Sequence, residues 1–214
     1  VRKFLAGKWA KLLVFALSSW PVLFLAWRTY RGELTANPVE FYQHQTGDWT
    51  LRFLVFTLSI TPLRKISQLP ELIRFRRMLG LFAFTYACLH FLTYLGPDQS
   101  FAPSGMLRDV AKRPFITVGF AAFVLLIPLA LTSTAGWIRR LGGKRWQMLH
   151  RAIYLAAALG VIHYYWLVKS DIRKPVFYGV LVGLLLAWRV WSWTAKKKAP
   201  ATAPATEPTA ARSS

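Results

Sequence analysis

Six long stretches of the chain are apolar, and short polar or basic segments separate them. They cover residues 12–27, 49–63, 78–95, 115–135, 152–168 and 175–195. A bilayer core about 30 Å thick needs about 20 mostly apolar residues per spanning helix, or about 17 at the short end. No run shows the polar–apolar alternation of a barrel strand, so the pattern predicts helices. The run at 115–135 carries no charge and is the clearest. The run at 49–63 is the weakest, being short and predicted to break near Pro62. The first run contains Pro21 and follows a basic start (Arg2, Lys3, Lys8, Lys11), but no small-residue cleavage site comes after it. It therefore reads as a retained helix and not as a removed signal. Arg189 lies near enough to the end of the sixth run to snorkel toward the headgroups.

Charge between the runs sets an orientation. With the N-terminus in the cytoplasm, 18 Lys and Arg fall on cytoplasmic segments and 9 on the outer loops 28–52, 96–114 and 169–174. Six of the 8 acids lie outside, Asp48 among them, leaving Glu71 and Glu207 inside. The expected fold is an all-α membrane protein, a six-transmembrane-helix bundle with both termini cytoplasmic. Residues 1–11 would be a cytoplasmic N-terminal tail, 12–195 the transmembrane domain, and 196–214 a disordered tail of lysines followed by Ala, Pro and Thr.

Composition removes other classes. Of 214 residues, 55% are hydrophobic and 17% charged, against roughly 25% charged in globular domains. Disorder is excluded for most of the chain. Cys88 is the one cysteine, which excludes a disulfide scaffold and makes a thiolate-built metal site implausible. The net charge of +20 is clustered between uncharged runs, not spread over a folded face, so it predicts membrane topology and no nucleic acid.

The chemistry-bearing residues are histidines. His44 falls in an outer loop and is expected to be solvated. His90 lies in the third run, His163 in the fifth, and His150 at the start of the fifth helix. Ionisable groups inside a span are costly and rare, and mark function or a polar staple between helices. The third and fifth helices run in the same direction. His90 and His163 each fall about 16–18 Å along them, at matching heights. Arg76 and His150 form a second level nearer the cytoplasm. Two imidazoles are too few for a bare zinc ion, but haem needs only one or two axial ligands. Phe82, Phe84, Phe91, Tyr154, Tyr164 and Trp166 could line a cleft, and Arg74, Arg77, Arg145 and Arg151 could meet propionates. One spacing fits poorly: thirteen residues put His150 about 140° around a straight helix from His163. Either His150 precedes the regular helix or two haems are offset sideways.

At these residues the chain resembles the MsrQ (YedZ) family, within the ferric reductase-like transmembrane superfamily. The matching stretches are Gln43-His44 with Thr46-Gly47, Ile60-Thr61-Pro62-Leu63, Arg76-Arg77 with Leu79-Gly80-Leu81, Leu89-His90, Thr132-Ser133-Thr134, Trp146-Gln147 with Leu149-His150 and Tyr154, and Ile162-His163-Tyr164. They span roughly residues 37–168. The resemblance implies a haem b protein of the bacterial inner membrane, with one or two haems, that also binds FMN. It implies electrons drawn from the quinone pool and passed to a periplasmic molybdenum-cofactor partner, MsrP, which reduces methionine sulfoxide in oxidised periplasmic proteins. By position, His90, His150 and His163 match the family's haem-ligand histidines. Larger relatives carry two histidines on each of the two helices, whereas the inner position here is Arg76. Arg76 is thus either an unusual second ligand or a propionate partner, a role its permanent charge suits.

No strand–Gly-x-Gly-x-x-Gly–helix unit exists for a dinucleotide, so electrons must arrive from a quinone or from a separate protein such as a cytoplasmic flavin reductase. The basic segment 139–151, with its Gly142-Gly143 turn, could meet a phosphate or a donor, or serve only as a topology signal. The expected function is an electron carrier that breaks no substrate bond itself. The alternatives are an intramembrane-histidine transporter or proton relay, a structural anchor for a partner, and a ferric reductase. Against the transporter stands the expected lack of any membrane-embedded carboxylate.

Overall fold

A computed structural model describes residues 2–98, 101, 103–168 and 170–198. The predicted tail at 196–214 lies outside the described residues beyond position 198. Among the described residues there is no strand. The helices are α1 (Arg2–Ala6), α2 (Lys8–Tyr30), α3 (Pro38–Ser67), α4 (Ile73–Thr93), α5 (Pro103–Lys112), α6 (Pro114–Leu131), α7 (Ala135–Leu149), α8 (Ala152–Leu167) and α9 (Arg173–Lys198). All six apolar runs fold as helices, in α2, α3, α4, α6, α8 and α9. Among the described residues four helical stretches are long and apolar enough to cross a membrane: Lys8–Tyr30, Pro70–Gly96, Pro114–Leu131 and Arg173–Ala195. Helix α8 is a shorter apolar helix of 16 residues.

Helix α3 departs most from the sequence expectation. It starts at Pro38, inside the expected outer loop, and runs through Pro62 without breaking. Asn37 caps it, its side chain accepting from Glu40 N, and Pro38 at the first turn needs no donor. Pro62 deletes one backbone bond close to the end of a 30-residue helix, and the remaining turns hold the chain in register. Low apolarity follows from position. Leu51, Phe53, Leu54, Val55, Leu58 and Ile60 are buried along α3, and so are Thr46, Asp48 and Thr57. Helix α3 pairs along its length with α4 and also touches α8 and α9. A helix surrounded by protein does not need the hydropathy that lipid demands.

Two further segments expected as loops are amphipathic helices. The basic segment at 139–151 belongs largely to α7, whose two halves meet at Gly142 in the left-handed region (φ 72°). The outer segment 96–114 contains α5. Helix α6 packs on α8, and α8 on α9. Helix α2 docks on α4 through Tyr86, whose hydroxyl accepts from Val22 N at 3.1 Å and donates to Ser18 O at 2.9 Å. This insertion sits beside Pro21, where the helix ladder is already interrupted. Helices α4 and α8 run parallel: Arg76 meets Tyr154 near their starts, and His90 meets His163 near their ends.

Candidate haem-binding site

His90 on α4 and His163 on α8 face each other, with ring centres 6.2 Å apart and planes inclined by 73°. Each imidazole is held in the same way by a neighbouring helix. His90 Nδ1 lies 3.0 Å from Gln43 O on α3, and His163 Nδ1 lies 2.7 Å from Phe115 O on α6. A carbonyl can only accept, so both Nδ1 atoms carry the proton and both Nε2 atoms keep a lone pair. Four residues after each carbonyl stands a glycine. A methyl at Gly47 would lie 3.1 Å from His90 Cε1, and one at Gly119 would lie 2.6 Å from His163 Nδ1. Thr46 Oγ1 adds a long contact of 3.5 Å to His90 Nδ1.

This donor set fits a haem better than a bare ion. Among the described residues no three His, Cys, Asp or Glu side chains gather as metal ligands. Each histidine keeps one unprotonated nitrogen, and two facing imidazoles would suffice for a haem iron, whose porphyrin supplies the other nitrogens. Small residues lie one turn below each histidine, at Ala87 and Gly160. The expected aromatic cleft is not assembled as one lining. Phe84 and Phe91 stack on Phe123 of α6, but Phe82 packs with Phe15 and Phe53 on the other side of α4. Trp166 is exposed, and Tyr154 stands at the opposite end of the bundle.

The second level is built differently. His150 is not in the fifth apolar helix but caps α7, just before α8 begins. That position removes the angular misfit of a straight helix. Its ring stacks on Trp146 at 3.9 Å, and Nε2 lies 3.0 Å from Thr132 Oγ1. Thr132 gives its own proton to Pro128 O, so its oxygen accepts from His150 Nε2–H. Trp146 Nε1 donates to Thr132 O at 2.9 Å. Thr132 thus closes α6 and orients His150, and Thr134 caps α7. Burial, and then the charge of Arg76, push the His150 pKa down.

The arginines divide. Arg76 lies beside Tyr154. Arg151 lies over the Trp193 ring at 5.2 Å, while Arg77 and Arg145 are exposed on α4 and α7. Arg74 is turned away from His150 and bonds the carbonyls of Leu5 and Ala6 at the end of α1. Arg189 does not extend outward as expected. Its guanidinium packs over Tyr154 at 5.6 Å and Trp193 at 5.2 Å. His44 lies on helix α3 and not in a loop, 3.6 Å from Glu40.

Asp48 overturns the expectation that the bundle lacks an embedded carboxylate. It is 9% exposed, one residue from Gly47 and so level with the histidine pair. Arg52 lies 3.8 Å from it and Lys174 3.9 Å, and Tyr164 is a neighbour. Gly119, Phe115 and Thr132's contact with His150 also escaped the sequence reading. Their one local trace is a glycine or a hydroxyl inside an apolar run.

Comparison with known proteins identifies the family. The family described as ferric reductase like transmembrane component matches residues 46–161, from beside Gly47 to just before His163. A relative from Herminiimonas arsenicoxydans is 56% identical over 191 residues, 88% of each chain. One from Caulobacter vibrioides is 50% identical, over 84% of this chain and 87% of its own length. A third, from Polaromonas naphthalenivorans, is 47% identical over 92% and 91%. All three are called protein-methionine-sulfoxide reductase heme-binding subunit MsrQ. No solved structure matches. Identity at this level, across nearly the whole of both partners, places the chain in the MsrQ family, among the ferric reductase-like transmembrane proteins.

Proposed function

We propose that this chain is a haem b electron-transfer subunit of the bacterial inner membrane. It passes electrons outward to a periplasmic molybdenum-cofactor methionine sulfoxide reductase of the MsrP kind. The observation that carries the reading is the facing pair, His90 and His163, each with its Nδ1 bonded to a backbone carbonyl so that its Nε2 keeps a lone pair. The relatives' shared name, a heme-binding subunit of a methionine sulfoxide reductase, supports it.

A bound haem supplies a one-electron redox couple between its ferric and ferrous states. The protein's own residues do the rest. His90 and His163 would hold the haem's iron through Nε2. Gln43 O and Phe115 O fix the tautomer and raise the basicity of the ligating nitrogen. Phe84 and Phe91 stack on Phe123 and pack α4 against α6. His150 is the ligand for an inner haem, through whichever nitrogen Thr132 leaves available. Arg76 serves there as second ligand or propionate partner, and Arg77, Arg145 and Arg151 are available to propionates or to the phosphate of FMN. The donor is a quinone or a cytoplasmic flavin reductase. The charge asymmetry supports six spans over 12–195 with both termini cytoplasmic.

A reduced-minus-oxidised visible spectrum with a haem-to-protein ratio tests the assignment. The purified chain is expected to show a low-spin haem b spectrum. His90→Ala and His163→Ala should each abolish the outer component while the protein still inserts. A colourless wild-type protein would return the transporter reading, and unchanged spectra in both variants would remove the ligand assignment.

A further inference from the structure

Helix α7 is poorly supported by the rest of the protein. It has no buried residue, and among the described residues no other helix packs along it. Its attachments lie at its ends. Thr134 accepts from Trp137 N at 3.4 Å, and Trp146 Nε1 donates to Thr132 O at 2.9 Å. Between them Gly142, at φ 72°, splits the helix in two. A methyl at Gly142 or Gly143 would meet nothing within 4 Å. Helical segments this short do not hold in water by their backbone bonds alone. A surface outside the chain must cover one side.

The exposed side identifies that surface. Arg139, Arg140, Lys144 and Arg145 are exposed, and none pairs with an acid among the described residues. No Asp or Glu occurs between Asp109 and Asp171, so nothing near in sequence neutralises them. Trp137 and Met148 stand exposed among the cations, and Arg140 lies over the Trp137 ring at 5.6 Å. Cations interleaved with an indole and a thioether suit the boundary between phosphates and acyl chains. Position agrees: α7 joins the end of α6 to the start of α8, two apolar helices of the bundle, and so lies where bilayer meets water.

We propose that α7 rests on anionic phospholipid headgroups through Arg139, Arg140, Lys144 and Trp137, and that this contact holds His150 in place. The half of α7 after Gly142 carries Trp146 and ends at His150, whose ring stacks on that indole. Whatever holds this half therefore holds the imidazole. Without anionic headgroups the half turns about Gly142, and Trp146 and His150 leave Thr132 together. The lipid contact stands independently of the haem. Its effect on redox chemistry rests on His150 being the inner ligand.

The test uses the full-length protein in nanodiscs of phosphatidylcholine alone and of equimolar phosphatidylcholine and phosphatidylglycerol. Amide hydrogen exchange is followed across residues 135–149. The samples are the wild type, the triple variant Arg139→Gln/Arg140→Gln/Lys144→Gln, and Arg108→Gln/Lys112→Gln on α5 as a control. Phosphatidylglycerol should slow exchange on both sides of Gly142 by about tenfold in the wild type and the control, and much less in the triple variant. High salt should erase the difference. Equal wild-type exchange in the two bilayers overturns the lipid contact, and is also the result expected if an acidic protein covers α7 instead. A reduced-minus-oxidised spectrum of the same discs should change with phosphatidylglycerol only in the component that His150→Ala removes. Slowing confined to residues 135–141, or a His150-dependent component indifferent to lipid, overturns the link to His150. A haem-free wild type overturns the electron-transfer reading, while the exchange result still decides the lipid contact. If the triple variant fails to accumulate, Lys144→Gln and the salt dependence of the wild type decide by the same readout.

Discussion

A methyl at Gly119 would meet His163 Nδ1 at 2.6 Å, inside any real contact distance, whereas one at Gly47 would meet His90 Cε1 at a tight but bearable 3.1 Å. The asymmetry makes a prediction. Gly119→Ala should displace the imidazole from Phe115 O and cut the haem-to-protein ratio by about tenfold or more, the scale on which supporting-shell changes act. Gly47→Ala should keep most of the haem, with its absorption or its electron paramagnetic resonance signal shifted. Equal haem content in both variants would show that neither glycine is holding a ring. The histidines themselves could be read from the sequence, because an imidazole in an apolar run has no solvent to explain it. Their supports could not: Gln43 O and Phe115 O are backbone atoms of other helices, and no local pattern marks a carbonyl that will accept from a distant side chain. Thr132 is the same case. Its hydroxyl takes up His150 Nε2, so Thr132→Val should free that nitrogen and change the spectrum of any inner haem, leaving the His90–His163 component as it was.

At the scale of elements, apolarity told helix from loop only where a helix meets lipid. Helix α3 was underestimated because its polar residues are spent inside the protein, with Asp48 between Arg52 and Lys174 and Thr57 bonded to Phe53 O. Its true start was nonetheless written in Asn37-Pro38, a cap followed by a proline. Asn37→Ala should therefore destabilise the protein by about 1 kcal/mol, read as a lowered Tm in detergent. Docking of α2 on α4 was invisible by contrast, since Pro21 predicts an interrupted ladder but not what fills the interruption. Tyr86, at 2% exposure, fills it. Tyr86→Phe removes the group that serves Val22 N and Ser18 O together, and should cost about 1–3 kcal/mol. The same change in a Pro21→Ala background, where the helix can close its own ladder, should cost less. If the two backgrounds lose equally, the hydroxyl is not completing the backbone of α2.

The whole molecule turns on whether α3 crosses the bilayer. Its central placement beside α4, α8 and α9 argues that it does, while its composition keeps it outside the set of helices apolar enough to cross unaided. The matched heights of His90 and His163 do not depend on the answer, because α6 alone crosses between α4 and α8 in either case, but the side of the membrane that the pair faces does. Single cysteines in a Cys88→Ser background decide it. Ala36 and Ser67 flank α3, and Lys144 and Ser170 flank α8 on the exposed surface. With six spans, a membrane-impermeant maleimide should label Ala36→Cys and Ser170→Cys in intact spheroplasts. Ser67→Cys and Lys144→Cys should react only after permeabilisation. If α3 folded back instead, Ser67→Cys would react from the same side as Ala36→Cys, and every later segment would invert. That would move 6 of the 9 outer-loop cations to the cytoplasm and 14 of the 18 cytoplasmic ones outside, against the positive-inside bias that the sequence carries. Labelling of Ser67→Cys is therefore the sharpest reading, since it tests the one crossing that hydropathy alone does not supply.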